Sequence, residues 1–102
     1  MKCLTLFLHA AVESEVVDCL RGNDDVPGFT LTTCQGHSRS TEHDPFLATR
    51  DRVVGYVPRI RVEIVLEDSH VEPTLAGLKS CLSSRGAVGL WTVTEVTSSG
   101  RL

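Results

Sequence analysis

The sequence predicts an α+β sandwich of the ferredoxin-like type, with element order βαββαβ, and three observations carry that expectation. Two segments alternate apolar and polar residues with the period of a strand, around Leu4, Leu6 and Leu8 and around Ile60, Val62, Ile64 and Leu66. Two others repeat apolar residues at helical spacing, Val12-Val16-Leu20 and Val71-Leu75-Leu78-Leu82. The 102 residues, 41% apolar and 23% charged, suit one domain over residues 1–102 and fit neither a disordered chain nor a pair of domains.

The first strand places Leu4, Leu6 and Leu8 on one side and Cys3, Thr5, Phe7 and His9 on the other. The first helix follows, with Glu13 and Glu15 suited to its positive N-terminal end and Arg21-Gly22 to its close. Asn23-Asp24-Asp25 is turn material, and Pro27-Gly28 starts a second strand through Phe29, Leu31 and Thr33. From about Gln35 to Tyr56 the residues turn polar, so a loop over about 37–55 is expected; a connection of that length is usually functional or mobile. The third strand, Tyr56 to Leu66, is the clearest, with Arg59, Arg61 and Glu63 opposite its apolar face.

Ser69-His-Val-Glu72 reads as a capping box opening the second helix, whose first turn tolerates Pro73. Gly86 and Gly89 lead into Leu90-Trp-Thr-Val-Thr-Glu-Val96, an aromatic and β-branched fourth strand. Right-handed crossovers place both helices on one sheet face. The other face then carries either Phe7 or its alternates, and either Trp91 with Val93 or Leu90 with Val96. A domain this small gains core by association, so that face is expected to meet other copies.

Ten Lys+Arg against thirteen Asp+Glu give a net charge of −3, which excludes a general nucleic-acid-binding surface. No apolar run reaches the roughly 18–20 residues of a membrane helix, so direct membrane insertion is not expected. Lys2 and the apolar stretch after it have the outline of a short signal peptide, but Thr5 and His9 interrupt it and the alternation favours a strand. A cytoplasmic protein with reduced thiols is therefore expected, its four cysteines being dispersed without a CxxC pair.

Two groups of residues have the chemistry of a site. Cys34, His37 and His43 combine thiolate and imidazole, ligands suited to zinc or cuprous copper. The alternative is a strand-end cysteine beside two solvated histidines. Arg50, Arg52, Arg59 and Arg61 are suited to a phosphate or carboxylate entering a cleft, or to a charge ladder with Glu63. Gly86 and Gly89 offer backbone amides to an anion or serve only as turns. No spacing sets a nucleophile, a base and an oxyanion donor together, so no enzyme is expected.

Gly55-Tyr-Val-Pro-Arg-Ile-Arg-Val-Glu-Ile-Val-Leu66 resembles the third strand of PII signalling proteins at the return from their long T-loop, and Cys34-Gln-Gly-His-Ser38 resembles the entry into it. A closer likeness is to a PII-like family often encoded beside heavy-metal efflux pumps of the RND type. It rests on Gly36-His37-Ser38, on Arg59 with Arg61, on Trp91-Thr-Val and on Gly100-Arg101-Leu102. The resemblance implies a regulatory homotrimer whose sheets pack about an axis, with ligand clefts between subunits at the loop bases and an efflux transporter as partner. Carried onto this chain, the ligand set is Gly36, His37, Ser38, Arg59, Arg61, Gly86, Gly89 and Arg101, and the ligand a transition metal or an adenine nucleotide. PII proteins that bind ATP or ADP carry a lysine in the glycine turn and paired arginines near the end of the last strand. Here Gly86-Ala-Val-Gly89 has no lysine, Arg101 stands alone, and Tyr56 lies at the loop exit where no counterpart of the uridylylated tyrosine is found.

Overall fold

The computed structural model describes residues 1–37, 56–86 and 88–102, and over them the expected order of elements is present. Strand β1 (Lys2–His9) passes through a 3-10 turn at Ala10–Val12 into helix α1 (Glu13–Arg21). Strands β2 (Thr30–Gly36) and β3 (Val57–Leu66) follow, then a 3-10 turn at Asp68–His70 and helix α2 (Val71–Cys81). A last 3-10 turn, Ser83–Arg85, precedes strand β4 (Gly89–Glu95). The sheet order is β2-β3-β1-β4 with every neighbouring pair antiparallel, the ferredoxin-like arrangement.

Register explains the core. Leu4, Leu6 and Leu8 lie opposite Ile64, Val62 and Ile60, and together with Leu66 these residues make one apolar face. Val12, Val16 and Leu20 from the α1 side and Val71, Leu75, Leu78 and Leu82 from the α2 side pack onto it as one cluster. Each fully buried aliphatic side chain of this kind contributes roughly 1.5–3 kcal/mol, so the face that the helices cover dominates the stability of the fold.

The same register resolves the two readings of β4. Trp91 lies opposite Leu6 and Val93 opposite Leu4, so both belong to the helix side of the sheet. Leu90, Thr92 and Thr94 share the helix-free side with Phe7, Thr5 and Cys3. That face is mixed: one row across it reads Leu90, Phe7, Arg61 and Thr32, and the next Thr92, Thr5, Glu63 and Thr30. As an edge strand, β4 is exposed at every residue.

Four local expectations are corrected. Ser69 lies inside the 3-10 turn, and no side chain caps α2; His70 takes the cap position and its Nε2 stands 3.8 Å from Asp25 Oδ1. His9 does not wait for a neighbouring copy: it is only 6% exposed, and its Nδ1 accepts a 3.0 Å hydrogen bond from the Ala11 amide. Strand β2 starts one residue after Phe29 and runs on to Gly36, which takes Cys34 into the ladder. Cys19 and Cys81 are not both reduced: a disulfide joins α1 to α2 across 62 residues of sequence, with Cα atoms 6.5 Å apart, while Cys3 and Cys34 are free thiols.

Candidate functional site

The antiparallel ladder brings four chain ends to one end of the sheet: the close of β1 at His9, the close of β2 at Gly36, and the starts of β3 and β4. His9 lies opposite Arg59, and Arg59 opposite Cys34, so a histidine, an arginine and a thiol form one row across the helix-free face. Gly36 lies opposite Val57, pairing the two chain ends that flank residues 38–55 in the sequence into a stem. The His37 and Tyr56 rings stand 6.1 Å apart across it, tilted by 42°. Ser38 and His43, expected as a ligand contact and a metal ligand, lie outside the described residues.

Gly36 serves a steric purpose. A Cβ there would fall 2.1 Å from Arg59 Nε and 2.4 Å from its Cδ, so the arginine side chain lies across the bare backbone of the neighbouring strand. This places a guanidinium at the stem. Arg61, two residues on, is engaged differently, its Nη2 3.2 Å from Glu63 Oε1 on the same face. That pairing is the charge-ladder arrangement the sequence left open.

Cys34 and His37 do not converge. Residues alternate across β2, which sets Cys34 on the helix-free face. His37 Nε2 instead donates to Gln35 Oε1 at 3.3 Å, on the other side of the strand. Among the described residues no group of three or more His, Cys, Asp or Glu side chains is gathered as a metal site requires. Arg101 is separated too: β4 ends at Glu95, opposite Lys2, so the segment bearing Arg101 leaves the sheet at the end away from the stem.

Gly86 and Gly89 line a different feature. Gly86 has φ +72° and ψ −151°, a conformation essentially confined to glycine, where it ends the 3-10 turn. Gly89 crosses β1 so closely that a Cβ would meet the Phe7 carbonyl oxygen at 2.0 Å. Gly86, Val88 and Gly89 border a cavity of about 280 Å³ on the helix side of the sheet. Its walls include Leu6 and Leu8 of β1, Leu75, Leu78 and Leu82 along α2, and Trp91 of β4. Lys79 Nζ lies 6.0 Å from the Trp91 ring centroid. The spacing of these leucines marks them as core and nothing in it marks a cavity; Lys79 followed by Trp91 carries no recognisable motif.

Displaced pKa values belong to other places. The Met1 amino group is raised, chiefly by its hydrogen bond to Asp68 at 2.8 Å, and that hydrogen bond is also what holds the Asp68 carboxyl low. Lys2 is raised chiefly by its hydrogen bond to Glu95. Glu15 is lowered first by its own backbone amide and then by Arg85, which ties the turn after α2 to α1.

The fold and the paired stem define a ferredoxin-like domain of the PII-like class. More particularly, the chain belongs to the family described as "Protein of unknown function (DUF3240)", whose model matches residues 1–102. A crystal structure of a DUF3240 family protein from Shewanella baltica OS155 superposes with a TM-score of 0.77, covering 99% of this chain and 94% of that one at 19% identity. Two curated relatives are each named nitrogen regulatory protein P-II. The one from Azospirillum brasilense is 28% identical over 64 residues, 63% of this chain and 56% of its own. The one from Rhizobium meliloti is 27% identical over 62 residues, 61% of this chain and 54% of its own. The chain therefore spans little more than half the length of these relatives.

Proposed function

We propose that this chain is a non-enzymatic PII-like regulatory protein of the cytoplasm that acts as one domain. In this reading it assembles into homotrimers through its helix-free sheet faces. A small ligand enters between copies at the stem, biases the 37–55 segment, and so changes engagement with a partner, for which the family resemblance supplies a heavy-metal efflux transporter of the RND type. A segment between two paired strand ends suits the two-state element such signalling needs, provided the ligand binds the two states unequally.

One observation carries the proposal most: Arg59 laid across Gly36 at the stem, in a row with His9 and Cys34 on a face that no helix covers. A guanidinium there is suited to a phosphate or carboxylate group. The regulatory names of the P-II relatives support the same direction. Among the described residues, no helix is long and apolar enough to cross a membrane. A metal ion bound by Cys34 and His37 would need a second copy to complete its ligand set, since the two side chains of one chain lie on opposite sides of β2.

Light scattering and calorimetry with adenine nucleotides, zinc and copper test the reading together. A trimeric mass, with saturable heat that Arg59→Met abolishes while the mass is retained, is the expected result. A monomeric mass with no heat from any of these ligands would remove it.

A further inference from the structure

The cavity between α2 and β4 has a chemistry of its own. Six leucines and Trp91 furnish an apolar lining, and Lys79 is the one charged residue in it. Among the described residues Lys79 makes no salt bridge; its recorded contact is with the Trp91 ring. Trp91 is 48% exposed, which leaves apolar ring surface for an occupant to cover.

We propose that this cavity binds a small anionic amphiphile, a monocarboxylate with a ring or a short aliphatic chain. Its apolar body lies among Leu6, Leu8, Leu75, Leu78 and Leu82, and its carboxylate meets the Lys79 ammonium. Size and charge select that class. The volume of about 280 Å³ is at or below the lower end of ligand cavities, about 300–1,000 Å³, which excludes a nucleotide or a long lipid chain. A cationic amphiphile would meet Lys79 as a like charge, and a neutral one would leave the ammonium without a counter-charge. A lone ammonium matches a single carboxylate; the planar forks that grip phosphate from two sides are absent from the lining. This site opens on the helix side of the sheet within one chain, whereas the stem row faces the helix-free side, so its test is separate from that of the regulatory reading.

Trp91, the sole tryptophan, is a built-in reporter. The full chain is titrated with octanoate below its micelle concentration, with octanol and octylamine in parallel, at two protein concentrations while tryptophan emission is followed. The expected result is a saturable emission change with octanoate, bound about tenfold more weakly by Lys79→Met and restored by Lys79→Arg, with octanol unaffected by either substitution. Lys79 is exposed, and unchanged circular dichroism of both variants verifies that they fold. No saturable change, equal responses to octanoate and octylamine, or undiminished affinity in Lys79→Met each overturns the proposal. So does an emission shift that follows protein concentration alone, which would assign the groove to a second copy of the chain.

Discussion

Lys2, Asp68 and Glu95 close one end of the sheet with charge, whereas His9, Gly36, Arg59 and Gly89 close the other by fit. At the first end the Met1 amino group and Lys2 are matched to carboxylates that remain largely in solvent. At the second, Gly89 meets the Phe7 backbone and Gly36 the Arg59 side chain so closely that neither glycine has a substitute without movement. Exposed ion pairs are screened by salt and rebuild after a substitution; close backbone contacts do neither. The molecule therefore tolerates change at the charged end and little at the stem. Polar groups at the charged end are spent on one another, while the stem end holds an arginine, a histidine and a thiol in fixed order.

The stem end is most sensitive at Gly89. Replacement by alanine drives a Cβ into the Phe7 carbonyl, so β4 must leave its register, and we expect a loss of at least about 3 kcal/mol by urea denaturation. Reduction of Cys19–Cys81, or its replacement by a pair of serines, is expected to cost about 2–4 kcal/mol, read from the same denaturation midpoints, because the bridge closes a long loop. Gly36→Ala meets a side chain instead of backbone; Arg59 can swing away, so about 1 kcal/mol is expected, together with weakened ligand binding at the stem in calorimetry.

Thr74 supplies a change of opposite sign. Its hydroxyl is fully buried on α2 and has no hydrogen-bond partner among the described residues, so Thr74→Val should raise stability by about 1 kcal/mol. The smallest effects are expected at the charged end. Asp68 is held below its ordinary 3.8, so its contribution is present above that value and is lost as pH falls through the lower folded-state pKa. The Met1 amino group is raised above 8.0, so its contribution is present below 8.0 and lost as pH rises through the higher folded-state value. Melting temperature against pH should therefore show a plateau with shallow falls on either side, flattened by salt. Asp68→Asn should reduce the alkaline fall to the part due to Lys2, which Glu95 also holds raised, and leave on the acid side the part due to Glu15, which is also lowered.

Most of the fold was legible because burial imposes periods. Leu4, Leu6 and Leu8, the alternation from Ile60 to Leu66, and the stripe from Val71 to Leu82 each required one face against one core. What escaped were facts that depend on partners distant in sequence. The sides of Trp91 and Leu90 follow from register with β1, which the composition of β4 cannot fix. The Cys19–Cys81 bridge depends on how two helices lie together. Alternation puts His9 on the face expected to meet other copies; its partner, the Ala11 amide, appears only when the chain turns. Of the candidate site, Gly36 and Arg59 were named from their places at the loop entry and on β3. Their contact is a diagonal one between strands and has no signature in spacing.

Because Gly36 and Val57 are already held opposite each other, the closure entropy of whatever chain joins them rises only with the logarithm of its length, about 0.6 kcal/mol for each doubling. The interval between them can accordingly be shortened, extended or exchanged for an unrelated graft at little thermodynamic penalty, so the scaffold is a natural cassette for new recognition sequences.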